Sequence, residues 1–166
     1  MSDHHPDSPA PARPDVFLPE ASAQGLASAL AWLEGLAERD AWPARTLFAL
    51  TLCADEALTN VLAHAVPAPG VETRGVATPG VATRGHHPLQ LRLECTRTDV
   101  GLALRIEDTG PAFDPTAQTS PELATSLDDA RVGGHGLRLM RHYLHSLDYQ
   151  RVNGRNVLLL VAAWAA

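Results

Sequence analysis

Apolar residues recur every three or four positions in two segments near the start of the chain. This spacing predicts one helix over residues 22–39 and a second, more apolar helix over residues 44–65. Ser22 is a suitable N-cap for the first helix, and Pro67 ends the second. A short strand at residues 16–19 precedes both helices.

The second half of the chain alternates apolar with polar residues, as strands with one buried face do. Strands are predicted on this basis at residues 89–94, 102–106, 149–152 and 156–163. Thr98-Asp99 and Asn153-Gly154 suit hairpin turns, and a helix is predicted over residues 136–146. Helices followed by a mostly antiparallel sheet predict an α+β two-layer sandwich with the helices on one face.

Three segments lack such periodicity. Residues 1–15 are rich in proline and polar residues, and are predicted to be a disordered tail. Residues 66–88 repeat a Gly-Val-x-Thr pattern and are predicted to be a surface loop. Residues 111–133 are polar, with a short helix possible near 121–127; a loop of this length is usually functional or disordered. The rest forms a single predicted domain, residues 16–166.

The composition fits a soluble domain of ordinary size: 166 residues, of which 45% are apolar. Cys53 and Cys95 lie inside apolar stretches and are predicted to be buried free thiols in a reducing compartment. The start of the chain has no apolar core of a secretory signal, and the apolar run at residues 157–166 is too short to span a bilayer. These features predict a cytoplasmic protein without a membrane partner.

The charge pattern narrows the function further. A net charge of −6 argues against direct nucleic-acid binding, which needs a basic surface. The chain contains no lysine, which excludes a P-loop, the strand lysine of protein kinases and Schiff-base chemistry. If this protein handles phosphate, it must use backbone amides, arginine and a metal ion.

Polar residues interrupt the apolar surface of the second predicted helix. Glu56, Asn60 and His64 are spaced by four and therefore share one face. A buried carboxylate or carboxamide needs partners, because burying one unpaired costs about 1–3 kcal/mol or more. Either these side chains form a site, or they face solvent or cap a neighbouring element.

Two further segments carry candidate chemistry. Asp108 and Gly110 follow a predicted strand, where a carboxylate can accept a hydrogen bond from an exocyclic amine and a glycine leaves room for a flat ring. The glycines at 133, 134 and 136 open a predicted helix and expose amides that can bind oxyanions. Taken singly, the first is also an ordinary turn and the second an ordinary hinge.

The order of these segments is similar to that of a known superfamily. Residues 55–65 (DEALTNVLAHA), 108–115 (DTGPAFDP) and 133–140 (GGHGLRLM) resemble the ATP-binding fold of gyrase, the Hsp90 chaperones, histidine kinases and MutL. Asp148-Tyr149 and the segment 153–156 (NGRN) extend the match to one branch, the stand-alone anti-sigma factor serine kinases of bacteria. Apart from the repeat loop, the resemblance covers nearly everything from Phe17 onwards.

Carried over position by position, the resemblance implies a role for each matching residue. Glu56 would be the general base that activates the attacking hydroxyl. Asn60 would coordinate Mg²⁺, which bridges the phosphates of ATP. Asp108 would bind the adenine amine, and Gly110 would give the base room.

The resemblance assigns the phosphates of ATP to the glycine segment. Gly134 and Gly136 would support them, and His135 and Leu137 belong to the same nucleotide-binding stretch. Residues 111–133 would form a lid that closes on ATP and excludes water.

Three positions need separate comment. His64 matches a histidine common in the branch, and a buried histidine with satisfied hydrogen bonds is the alternative interpretation. Ala112 replaces a glycine found in many members of the wider superfamily. Leu159 stands where relatives often carry a threonine beside the adenine, so one hydrogen bond to the base is expected to be missing.

The function that the resemblance implies is an ATP- and Mg²⁺-dependent serine/threonine kinase. Its expected substrate is a small anti-sigma factor antagonist of the STAS type, a sigma factor is a possible second partner, and relatives suggest a homodimer. Two alternatives remain: an ATP-gated binding switch without phosphoryl transfer, and a detached histidine-kinase catalytic domain. Glu56 favours the kinase, since a pure binder needs no base on that face.

Overall fold

The computed structural model describes residues 13–65, 88–117 and 134–164. The helices and strands are, in chain order, β1 (Asp15–Phe17), α1 (Ala23–Asp40), α2 (Ala44–Ala65), β2 (Leu91–Arg97), β3 (Gly101–Asp108), α3 (Gly134–Tyr143), β4 (Ser146–Val152) and β5 (Arg155–Ala163). A 3-10 turn at Pro115–Ala117, which the sequence pattern does not indicate, follows β3. The predicted tail, repeat loop and short helix near 121–127 fall wholly or almost wholly outside these residues.

The strands form one five-stranded sheet in the order β1-β2-β3-β5-β4, with every neighbouring pair antiparallel. The helices contribute apolar side chains to a core shared with alternate residues of the strands. The α+β two-layer prediction is therefore confirmed. The central strand is β3. Its last residue, Asp108, therefore lies in the middle of the row of strand ends on one side of the sheet.

Side-chain alternation explains why the helices cover one face of the sheet. Cys95, Leu104 and Leu160 lie side by side on β2, β3 and β5, and each is at most 3% exposed. Burying a leucine side chain stabilises the folded state by about 1.5–3 kcal/mol. The intervening positions carry charged pairs on the opposite face, such as Arg105 with Glu107.

The turns and helix caps of the structure agree closely with those predicted from the sequence. The side chain of Ser22 accepts a hydrogen bond from the Gly25 amide at 3.0 Å and so caps α1 as predicted. Asn153 and Gly154 both adopt positive φ, 50° and 78°, as the two central residues of a type I′ hairpin turn do. The helix predicted over 136–146 is shifted, because Ser146 instead begins β4 by pairing with Val161.

Helix α2 is the core helix of the domain. Over residues 44–64 it is long and apolar enough to cross a membrane by length and composition alone. However, it contacts α1, α3, β3 and β5, and it carries Asp55, Glu56 and Asn60 along its length. These contacts are those of a helix packed inside a two-layer domain. Cys53 on α2 and Cys95 on β2 are buried and free, as predicted.

Candidate nucleotide-binding site

A cleft opens between α2 and the end of the sheet formed by β3, β4 and β5. It encloses about 400 Å³ of empty space, part of it open to solvent. Its lining residues are Ala57, Asn60, Val61, His64, Asp108, Pro111, Phe113, Pro115, Tyr149, Asn156 and Leu158. Asn60 and Asp108, predicted from separate segments, therefore face the same space. A mostly apolar cleft with a few polar groups is the usual form of a small-molecule site.

Asp108 lies at the base of this cleft and is only 4% exposed. Its Oδ1 accepts hydrogen bonds from the Gly110 amide at 2.8 Å and from Asn156 Nδ2 at 2.9 Å. Within the described parts of the chain, Oδ2 has no such partner. A carboxylate oxygen with spare acceptor capacity in an apolar cleft is suited to an amine on a ligand.

Glu56 meets the start of α3. A Cβ added to Gly136 would collide with the Glu56 carboxylate, so the two segments approach as closely as a glycine allows. Gly134 is the first residue of α3, which is 10 residues long. The Glu56 carboxylate thus lies near the positive end of a helix whose first amides have no partner within the helix.

The remaining predicted residues of the glycine segment, Leu137 and His135, differ in their position on α3. Leu137 is 3% exposed and belongs to the core, so only its backbone is available to a ligand. His135 is in the first turn of α3. Because Glu56 and Asn60 are one helical turn apart, the cleft and the α3 N-terminus lie next to each other along α2.

The expectation of a buried His64 is wrong. His64 is exposed at the end of α2, and its ring stacks on Phe113 with 3.8 Å between ring centroids and 21° between ring planes. Stacking covers the apolar faces of both rings where the cleft meets solvent. The pair thus forms one rim of the cleft.

Asn156 is the site residue that the sequence reasoning missed. It is 5% exposed and lies directly opposite Asp108 in the pairing of β3 with β5. An available signal was its position at the head of the otherwise apolar run at 157–163. The expected position of Leu159 beside the base is wrong: alternate residues of a strand face opposite ways, so Leu158 lines the cleft and Leu159 does not. The expected absence of one hydrogen bond to the base stays a prediction.

Cys53 lies about one turn before Glu56 on α2, and its environment makes the thiol unreactive. Burial, with a smaller contribution from the charge of Glu56, raises the pKa of the Cys53 thiol to about 12. The thiol is therefore protonated near neutral pH, and a protonated thiol is a poor nucleophile.

The donor set fits Mg²⁺ only together with a phosphorylated ligand. Among the residues that the structure describes, no three His, Cys, Asp or Glu side chains are grouped to hold a metal ion. Asn60 supplies one amide oxygen in the cleft. Mg²⁺ commonly takes one or two protein oxygens and completes its shell with phosphate oxygens and water. Asn60 is thus suited to an ion that arrives with a nucleotide.

The sheet is antiparallel with helices on one face, and the cleft lies between the apolar core helix α2 and the buried Asp108. The chain belongs to the family of histidine kinase-like ATPase domains, which matches residues 19–162. The resemblance to this superfamily is therefore confirmed.

A more particular relative is the serine/threonine-protein kinase BtrW of Bordetella bronchiseptica (strain ATCC BAA-588 / NCTC 13252 / RB50). This chain is 48% identical to it over 141 residues, which are 85% of this chain and 87% of that protein. The family match over residues 19–162 includes the cleft, α2 and α3.

Replacing Gly136 by alanine should misplace Glu56, because the new methyl group would occupy the space of the carboxylate. We expect ATP turnover or transfer to fall by at least about tenfold. The matched control is Gly35→Ala on α1, where an added Cβ meets nothing within 4 Å. That change should stabilise the protein by about 0.5–1 kcal/mol and leave activity unchanged. Wild-type activity in Gly136→Ala would contradict the assigned contact.

Proposed function

We propose that this protein is an ATP- and Mg²⁺-dependent serine/threonine protein kinase. The observation that carries the proposal is the position of Glu56, which touches Gly136 at the start of α3 and lies one turn from Asn60 in the cleft. Membership of an ATPase-domain family and 48% identity to a protein named as a serine/threonine kinase support it.

In this proposal Glu56 acts as a general base. The carboxylate accepts the proton of a serine or threonine hydroxyl as its oxygen attacks the γ-phosphorus of ATP. A new oxygen–phosphorus bond forms, the bond from the γ-phosphorus to the β,γ-bridging oxygen breaks, and ADP leaves. Positioning and charge neutralisation account for most of the catalysis in such reactions.

The other groups bind and orient ATP. Asp108 accepts a hydrogen bond from the adenine amine through Oδ2, and Gly110 leaves space beside the base. Asn60 would hold Mg²⁺, which neutralises phosphate charge when bound. Since the chain has no lysine, the backbone amides of residues 134–137 at the α3 N-terminus are the groups we assign to the phosphates.

The proposed protein substrate is a small anti-sigma factor antagonist of the STAS type, and a sigma factor is the proposed second partner. Both proposals rest on the motif resemblance in residues 55–65, 108–115 and 133–140. An ATP-gated binder without transfer would need Asn60 and the cleft, but it would give no role to Glu56. A detached histidine-kinase domain would need a phosphorylated histidine on another chain.

Replacing Glu56 by glutamine should abolish transfer and keep ATP binding, because the amide preserves shape and loses the basic oxygen. We expect the rate of label transfer from γ-labelled ATP, with Mg²⁺, to small antagonist proteins of the same genome to fall by about 10²–10⁴-fold. ATP affinity should stay within about threefold of wild type.

The matched control is Asp55→Asn, which removes the same charge from the adjacent residue of α2. It should transfer label at the wild-type rate. If wild-type protein labels none of the antagonists, the ATP-gated binder replaces the kinase. Equal loss of ATP binding and transfer in Glu56→Gln would remove the assignment of Glu56 as base.

Replacing Asn60 by alanine should remove the dependence of nucleotide affinity on Mg²⁺, because the change deletes the proposed protein ligand of the ion. Titrations of ATP with Mg²⁺ and with a chelator measure this dependence directly. Thr59→Ala, at the exposed neighbouring position of α2, serves as control and should retain it. An unchanged Mg²⁺ effect in Asn60→Ala would place the metal elsewhere.

A second copy of the chain is the remaining proposed partner. Among the described residues, no strand pairs with the outer edge of the three-residue strand β1. Val16 in this strand is 42% exposed, and Leu18, just after it, is 66% exposed. Exposed edges with apolar side chains readily pair with another chain. We expect sedimentation velocity to give a dimer for wild type and a monomer for Leu18→Glu. A monomeric wild type at micromolar concentration would refute it.

A further inference from the structure

The side chain of Asn156 forms five hydrogen bonds with other described residues, and the proposed function assigns no role to any of them. Its Nδ2 donates to Asp108 Oδ1 at 2.9 Å and to the Pro111 carbonyl at 2.8 Å. Its Oδ1 accepts from the Tyr149 hydroxyl at 2.8 Å, from Arg151 Nη1 at 2.6 Å and from the Phe113 amide at 3.3 Å. The side chain therefore joins β3, β4, β5 and the segment after β3.

These partners leave the Asn156 amide one orientation. Tyr149, Arg151 and the Phe113 amide offer hydrogens on one side, and only an oxygen can accept them. Asp108 and the Pro111 carbonyl offer acceptors on the other side, so the NH₂ group must point there. Because the amide cannot flip without breaking these bonds, a donor always faces the Asp108 carboxylate.

The fixed donor determines what Asp108 can do for a ligand. Oδ1 is occupied by Asn156 and by the Gly110 amide, and both partners donate. Two donors on one oxygen hold the plane of the carboxylate. Oδ2, which has no hydrogen-bond partner within the described residues, remains as a pure acceptor for the occupant of the cleft.

We infer that Asn156 is the positioning residue that makes the cleft selective for a 6-aminopurine over a 6-oxopurine. The inference rests on the proposed binding of the base by Asp108. An adenine amine can donate to Oδ2, whereas the carbonyl oxygen of hypoxanthine or guanine would place two acceptors together. Sites built on such buried hydrogen bonds discriminate strongly, because the wrong ligand leaves a polar group unpaired.

Losing the Asn156 donor should weaken this selectivity. Without it, Asp108 can turn or bind water, so Oδ2 is no longer held where the adenine amine can donate to it. Recognition of the rest of the nucleotide does not involve this donor. The expected change is therefore in the ratio of affinities for ATP and inosine triphosphate, which differ at position 6 of the purine.

The first test is Asn156→Leu, which keeps a similar volume and removes the amide. We expect the preference for ATP over inosine triphosphate to fall by about tenfold or more. Affinity for inosine triphosphate itself should change by less than about threefold. The control, Gln150→Leu, removes an exposed amide from the neighbouring strand β4 and leaves the donor to Asp108; it should keep the wild-type preference.

Asn156→Asp provides a second test that does not depend on tolerance of leucine. The new carboxyl group can still accept from Tyr149 and Arg151, and it can donate to Asp108 only while the pair holds a proton. The ATP preference of this variant should therefore be present at acidic pH and be lost as the pH rises. Wild type should show no such loss; it carries the same other titratable groups near the amide, namely Asp108, Arg151, Tyr149 and, on the rim, His64.

The outcomes separate this inference from the proposed function. Affinities for both nucleotides that fall equally in Asn156→Leu, or a pH-independent ATP preference in Asn156→Asp, would show a merely structural role and overturn the inference. Neither result would affect Glu56 as base. If wild type binds inosine triphosphate as tightly as ATP, both the inference and the proposed role of Asp108 are wrong. Thermal unfolding of each variant verifies that the fold is retained.

Discussion

The antiparallel pairing of β3 with β5 is the constraint on which the site depends. It places Asp108, the last residue of the central strand, opposite Asn156, so that both lie where these two strands end. A carboxylate that is 4% exposed would be costly there without donors. Since its donors are the Gly110 amide and the Asn156 side chain, strand register and binding chemistry are fixed by the same contacts. A shift of register by one residue would turn Asn156 to the other face.

Helix α2 combines two requirements that usually conflict. Its apolar residues complete the core, while Glu56 and Asn60 emerge one turn apart on the side towards β3 and α3. The conflict is resolved by what lies opposite: a cleft beside Asn60 and a glycine beside Glu56. Neither polar side chain is buried against apolar atoms alone, which is the arrangement that costs most. The cleft and the glycine allow polar residues on a core helix. The same two features would provide space for a bound nucleotide.

Local sequence signals predicted most of the architecture because the interactions behind them are local. Ser22 caps α1, Asn153-Gly154 forms its turn, and α2 covers the predicted residues 44–65, each decided within a few positions. The order of the motifs also predicted that Asn60 and Asp108 would line the same cleft, as they do. These are the parts for which composition and spacing carry the physical information.

What the sequence could not supply were relations between distant segments. The partner of Asp108 depends on which residue of β5 lies opposite it, and period-2 patterning leaves that register open until the strands are paired. Leu159 was placed beside the base by resemblance to relatives, whereas in the structure Leu158 lines the cleft. The alternative interpretation of His64 as a buried histidine failed because its exposure depends on where α2 ends relative to Phe113.

The two halves of the site differ in how far the protein alone organises them. On the base side, Asn156 and its partners hold Asp108 and the following segment in a closed network before any ligand arrives. On the phosphate side, the chain has no lysine, and the described groups are Glu56, Asn60 and the amides of α3. A preorganised base pocket can select the nucleotide by fixed hydrogen bonds. In the proposed function, the phosphate side would gain cationic charge from the Mg²⁺ that arrives with ATP, so recognition of the base and readiness for transfer would be physically separate steps.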